Sequence, residues 1–256
     1  MDDPALLVLA TDLAERAGAE IRAIRDRGFQ VHRKADRSVV TEADHAAEAI
    51  ILAGLRQALP GCVVIAEEEA AAGKVTEATA EFWLVDPLDG TREFTSGGND
   101  FAVNIGLVRN GIPVLGVVGV PATGQIYGGI VGVGAWRQKN GQRTPITVRH
   151  TPPEGLTVVA SRHHGDQARL DAFLGGRTVA RVVNFGSSLK FCRVAEGQAD
   201  LYPRFGRTME WDTCAPQAVL AAAGGSVETL GGQPLRYGKP GWDNPHFVCW
   251  GSRAMP

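Results

Sequence analysis

Apolar residues recur at helical spacing from the start of the chain: Leu6, Leu9, Leu13, Ala17, Ile21 and Ile24 fall on one stripe, opened by Asp3-Pro4 and closed by Gly28. One long amphipathic helix is expected. Residues 29–40 carry Lys34, Asp36 and Arg37 without a period, which suits an exposed hairpin or loop. Ile50, Ile51, Leu55 and Ala58 then define a second helix, opened by Thr41-Glu42-Ala43-Asp44 and ended by Pro60-Gly61. Val63-Val64-Ile65 and Phe82-Trp83-Leu84-Val85 are short continuous apolar runs, the signature of buried strands. Residues 101–108 and 112–120 read as a hairpin around Asn110-Gly111, continued by an antiparallel meander with a turn at Lys139-Asn140-Gly141. The glycine-rich stretch 128–134 lacks the order of a dinucleotide fingerprint and fits turns and tight strand packing.

After Thr151-Pro152-Pro153 the pattern changes to strands alternating with helices: strands near 158–160, 182–183 and 200–202, helices over 166–174, from 187 onward and from Trp211-Asp212 to Gly224-Gly225. The prolines mark the expected boundary between an α+β subdomain, residues 1–150, and an α/β subdomain, residues 151–256. Composition narrows the function. A net charge of −2 on 256 residues gives no field to gather nucleic acid or an anionic membrane, so any phosphate must be met locally. The four scattered cysteines suit a reducing compartment. With no signal-peptide pattern and no apolar run of membrane-spanning length, the cytoplasm is expected.

The candidate chemistry lies in WLVDPLDGTREF, residues 83–94, where a buried strand ends in Asp86 and Asp89 and turns through Pro87 and Gly90-Thr91. Two carboxylates facing one point need a proton or a cation between them, and a hard divalent ion is the simpler answer. Glu67-Glu68-Glu69 follows another strand in the same way, as two neighbouring strands of one sheet would present their acids. Glu67, Asp86, the Leu88 carbonyl, Asp89 and Asp212 thus form a candidate Mg²⁺ site for phosphate ester hydrolysis, with Gly90 and Thr91 offering amides and a hydroxyl to the phosphate or the attacking water. Asp44 and Asp212 also have ordinary capping roles open to them. Gly186-Ser187-Ser188-Leu189-Lys190 suits a phosphate, with N-capping by Ser187 as the alternative, and Arg204 lies just past a strand. His163-His164 reads as one surface and one partly buried histidine rather than as a shared metal site. An aspartyl-phosphate mechanism needs Asp-x-Asp, not Asp86-x-x-Asp89, and Ser187-x-x-Lys190 lacks the partner elements of penicillin-recognising enzymes. A phosphonucleotide sensor without turnover is the non-enzymatic alternative.

With the acidic cluster IAEEE and the downstream WDTCAPQAVLAAAGG, the central motif resembles the lithium-sensitive inositol monophosphatase superfamily. VVASRHH, GSSLKFCRVAEGQADLYPRFGRTMEWDT and PLRYGKPGWDNPHF resemble its CysQ-type 3'(2'),5'-bisphosphate nucleotidase branch. The resemblance spans residues 39–247. It implies a layered αβαβα sandwich, a homodimer, two or three Mg²⁺ ions, inhibition by Li⁺, and hydrolysis of adenosine 3',5'-bisphosphate to AMP and phosphate. Glu67, Asp86, Leu88, Asp89 and Asp212 match the family's metal ligands. Asp44 and Thr91 match the pair that positions and deprotonates the water, with Glu67 in the same catalytic group. The reacting phosphate would meet Leu88, Asp89, Gly90, Thr91 and Asp212, while Ser187, Lys190, His164 and Arg204 match positions that hold the nucleotide's other phosphate or ribose. Inositol-1-phosphate, histidinol-phosphate and fructose-1,6-bisphosphate phosphatases of the same superfamily stay open as alternatives, as does a peripheral seat at the cytoplasmic face of the inner membrane. Three departures spare the ligands: Ala66 for a serine, Val39 for a proline, and Gly119 for a tyrosine whose loss bears on base packing.

Overall fold

The computed structural model describes residues 1–33, 39–74, 76–161 and 167–252. Helix α1 (Asp3–Arg27) begins where the Asp2 carboxylate accepts the Ala5 N–H and ends at Gly28. A short antiparallel pair, β1 (Val31–Arg33) and β2 (Val39–Thr41), leads into α2 (Glu42–Ala58). Strand β3 (Val64–Ala66) runs into α3 (Glu67–Ala71), a five-residue helix that begins with the acidic triplet. Next come β4 (Glu81–Asp89), α4 (Thr91–Thr95), β5 (Ala102–Arg109), β6 (Ile112–Val120), β7 (Gln125–Ile130), β8 (Gly134–Lys139) and β9 (Gln142–Ile146). Strands β3 to β9 form one seven-stranded sheet in chain order, parallel only between β3 and β4.

The second sheet is built from β10 (Leu156–Ser161), β11 (Val179–Phe185), β12 (Leu201–Arg204), β13 (Ser226–Thr229) and β14 (Phe247–Trp250), ordered β11-β10-β12-β14-β13. Between them lie α5 (Gln167–Leu174), α6 (Leu189–Ala195) and α7 (Glu210–Ala222). The alternation suggested a parallel half; β10, β11 and β12 are parallel, but β13 and β14 join antiparallel. The pattern gave no sign of these two, because each is four residues long and β14 follows a stretch rich in proline and glycine.

Period-two alternation assigns each strand face to a layer. Trp83, Val85, Ile105 and Leu107 point outward against Leu13, Ile21, Ile51 and Leu55 of α1 and α2. Phe82, Leu84, Ala102 and Val108 point inward, where Cys214, Ala215 and Val219 of α7 join Phe247 of the second sheet. Leu170 and Leu174 of α5 cover the far side, on Val158, Leu201 and Val248. The result is the expected five-layer order of helices, sheet, helices, sheet and helix. The first sheet belongs to residues 1–150 and the second to 151–256, with α7 of the latter packed on the former.

α7 rests on a row of glycines. Gly106 pairs with Gly116 across β5 and β6, and Gly116 with Gly129 across β6 and β7. A Cβ on Gly106 would stand 2.6 Å from Cys214 Sγ, and one on Gly129 2.8 Å from Ala222 Cβ. At Gly116 it would meet the Ala215 backbone, 2.7 Å from its Cα. Backbone cannot rotate out of the way, so Gly116→Ala should lower stability by about 1–3 kcal/mol through overpacking. Thermal melts test this; an unchanged Tm would mean that the helix can lift off without cost.

Candidate active site

Two strand ends deliver three acids to one side of the first sheet. On β4 the period places Phe82, Leu84 and Asp86 on the inner face. Residues three apart on a regular strand face opposite sides, which would turn Asp89 away. The pairing prevents this: Asp86 lies opposite Asn104 and Asp89 opposite Ala102, so β4 spends three residues where β5 spends two. That bulge returns Asp89 to the face of Asp86. On β3, Ile65 pairs with Leu84 on the inner face, and the next alternate position sets Glu67 beside Asp86. Gly90 then turns the chain into α4 with φ 93°, where a Cβ would lie 2.9 Å from the Asp100 carbonyl oxygen.

Two further acids reach the same place from helix starts, and the choice between capping and function dissolves because each carboxylate has two oxygens. Asp44 Oδ2 accepts the Thr41 N–H at 2.7 Å and the Thr41 hydroxyl at 2.8 Å, closing a capping box on α2. Its Oδ1 lies 3.0 Å from Thr91 Oγ1, which is also 3.1 Å from the Leu88 carbonyl oxygen. A hydroxyl has one proton, so these two acceptors compete for it. Asp212 Oδ2 likewise accepts the Met209 N–H at 2.9 Å, and its residue lines the cavity.

That cavity, about 240 Å³, is lined by Glu67, Asp86, Leu88, Asp89, Gly90, Thr91 and Asp212. Ser187, Lys190 and Arg204 of the second half line it too. Burial raises the Asp86 carboxyl well above the usual range, and the charges of Glu67, Asp89 and Asp212 push it further. Asp212 is raised for the same reasons, burial first and then Asp89 and Glu67. Burial also raises Asp89, against the opposing charge of Lys190 and the Ser188 N–H bond. Asp44 is raised by burial and held back by its Thr41 and Thr91 bonds. Lys190, only 4% exposed, is lowered to about 8 by burial, with Asp89 opposing and Arg204 adding to the shift.

Among the described residues, no three His, Cys, Asp or Glu side chains stand close enough to form a ready-made coordination shell. Glu67, Asp86, Asp89 and Asp212 nonetheless line one cavity, where their like charges raise the carboxyls of Asp86 and Asp212. An all-oxygen set of crowded carboxylates plus the Leu88 carbonyl fits a hard divalent cation such as Mg²⁺.

Lys190 Nζ donates to the Ser187 and Phe185 carbonyl oxygens and sits 5.4 Å from the centre of the Tyr202 ring. Arg204 Nη1 donates to Ser161 Oγ at 3.3 Å. Ser187 adopts φ 45° and its Oγ accepts the Leu189 N–H, the first amide of α6, at 3.4 Å, while the carboxylate Asp89 Oδ2 takes the Ser188 N–H. His164, His163 and the charged residues Lys34, Asp36 and Arg37 lie outside the described residues. The sequence reading missed Ser188, which clasps the halves through its amide and, from its hydroxyl, through Asn104 Oδ1 at 2.8 Å. A backbone amide leaves no mark in the letters. It also missed Glu48, for which a signal existed: it stands four residues after Asp44, on the same helix face.

Fold and cleft together define a layered α/β protein whose two halves pool their acids and cations in one cavity. Residues 3–248 match the inositol monophosphatase family, and the chain belongs to it. The 3'(2'),5'-bisphosphate nucleotidase CysQ of Escherichia coli strain K12 is 45% identical over 227 residues, 88% of this chain and 91% of that protein. The protein of the same name from Aggregatibacter actinomycetemcomitans is 32% identical over 254 residues, 98% of this chain and 94% of that one. Among solved structures, CysQ from Bacteroides thetaiotaomicron superposes with a TM-score of 0.82 at 33% identity, covering 98% of both chains. Inositol monophosphatase from Anabaena gives 0.76 at 28% identity, covering 96% of this chain and 90% of that one.

Proposed function

We propose that this chain is a Mg²⁺-dependent 3'(2'),5'-bisphosphate nucleotidase, converting adenosine 3',5'-bisphosphate to AMP and phosphate, and 3'-phosphoadenosine 5'-phosphosulfate to adenosine 5'-phosphosulfate. The observation that carries the reading is the contact between Asp44 and Thr91, the second of which lines the acid-lined cavity. A water donating to Thr91 Oγ1 passes its proton through the hydroxyl to Asp44, whose raised pKa makes it a better base than a solvated carboxylate. Glu67, Asp86, the Leu88 carbonyl, Asp89 and Asp212 would hold Mg²⁺, which supplies charge neutralisation and a lowered pKa for water beside the phosphorus. The Gly90 and Thr91 amides open α4 toward the same space and would orient the reacting phosphate. Lys190 and Arg204, which line the same cavity, supply local positive charge for the second phosphate, as a chain of net charge −2 requires.

Phosphate release across adenosine 3',5'-bisphosphate, inositol-1-phosphate, histidinol phosphate and fructose 1,6-bisphosphate, with and without Mg²⁺ and Li⁺, tests the reading. The nucleotide should be the best substrate, and Li⁺ should inhibit. Preference for another of the esters would move the chain to that activity within the family. Lys190 makes a pH prediction. Its folded pKa of about 8 means that the free enzyme loses this charge as pH rises through 8, so kcat/KM for the bisphosphate should fall on that limb. Lys190→Ala should remove the limb and raise KM for the bisphosphate more than for a monophosphate. Equal effects on both esters would take Lys190 out of the recognition role. Among the described residues, no helix is long and apolar enough to cross a membrane.

A further inference from the structure

α2 is gripped at two points one helical turn apart. Asp44, in its first turn, meets Thr91. One turn further, Glu48 is 6% exposed, and its carboxylate reaches out of the helix to another element. Oε2 accepts the Glu68 N–H at 2.8 Å and Oε1 the Glu69 N–H at 3.0 Å. Those amides belong to the first turn of α3, whose own N-cap residue, Ala66, makes no side-chain capping bond. A five-residue helix has too few internal bonds to stand alone, so what fixes its start comes from outside. Its first residue is Glu67, which lines the cavity.

We propose that Glu48 is a positioning residue for Glu67: its two-point grip on α3 sets where the Glu67 carboxylate enters the cavity. Because Asp44 and Glu48 share one face of one helix, α2 then fixes the separation between the water-activating pair and a cation ligand. The geometry explains why both oxygens of a buried carboxylate are spent on two successive amides of a helix that short. The inference rests on the assignment of Glu67 as a Mg²⁺ ligand.

The test is calorimetric titration of the folded full chain with MgCl₂, alongside the Mg²⁺ dependence of phosphate release. Glu48→Gln keeps the size but replaces one acceptor with a donor that faces an N–H. It should weaken Mg²⁺ binding about ten- to hundredfold, the usual cost of losing a group that orients a ligand. KM for the nucleotide at saturating Mg²⁺ should stay near that of the parent. Glu48→Asp retains both acceptors and should fall between the two; it also carries the test if Glu48→Gln does not fold. Glu67→Gln separates the two ideas. If Glu67→Gln loses Mg²⁺ binding while both Glu48 variants bind like the parent, Glu48 is a structural cap only and the proposal falls. If Glu67→Gln binds Mg²⁺ like the parent, the metal assignment itself falls and takes the proposal with it.

Discussion

Asp89→Asn is expected to abolish Mg²⁺-dependent phosphate release, by about a thousandfold or more, while moving the melting temperature by only a few degrees. The loss follows from the charge, since several kcal/mol of transition-state stabilisation are at stake and each 1.36 kcal/mol is about a factor of ten. The small thermal effect follows from what Asp89 does in the free fold. Its Oδ2 accepts the Ser188 N–H, a bond that the carbonyl oxygen of an asparagine can keep. Its charge attracts Lys190 but also pushes Asp212 and Asp86 upward. Its own pKa is raised despite Lys190, so burial outweighs that attraction and neutralising the group costs the fold little. Phosphate release and calorimetric melts check both halves of the expectation. A collapsed fold with residual activity would show that Asp89 is a structural clasp and not a ligand.

Asp44→Asn should lower kcat by about 10²–10⁴, the span assigned to a general base, with Mg²⁺ affinity unchanged. Asp44 also closes the capping box of α2, worth about 1 kcal/mol, and asparagine retains an acceptor there. Thr91→Val removes the hydroxyl at nearly constant shape and should give a similar loss. Because the two act on one proton, the double variant should be scarcely slower than either single one. Additive losses would mean that the 3.0 Å contact is not a working pair.

Strongly periodic parts of this fold were legible in the sequence: α1, α2, the meander and the two strands that end in acids. Their neighbourhood could be read as well, because strand-then-acids occurs twice and β3 indeed lies beside β4. What stayed hidden has physical reasons. The bulge between Asp86 and Asp89, which turns both acids to one face, is a property of pairing with β5 and has no letter of its own. Asp44 and Asp212 looked like caps because they are caps; that the other oxygen of Asp44 meets Thr91 is a contact between residues far apart in the chain. Strands β13 and β14 are short and, unlike β3, do not run into a cluster of acids that would mark them. The clasp at Ser188 is a main-chain contact between residues 99 positions apart.

The glycine row under α7 has a consequence for anyone reshaping this cleft. Gly106, Gly116 and Gly129 let the helix sit close on the sheet, so the height at which Asp212, near its head, stands over β4 is gauged by the thickness of the main chain beneath it. Libraries aimed at new phosphate esters are therefore best confined to the wall around residues 187–204. A single methyl added beneath the helix acts instead as a shim, and a graded series of such shims would tune the gap between the two halves without altering any group that meets the ligand.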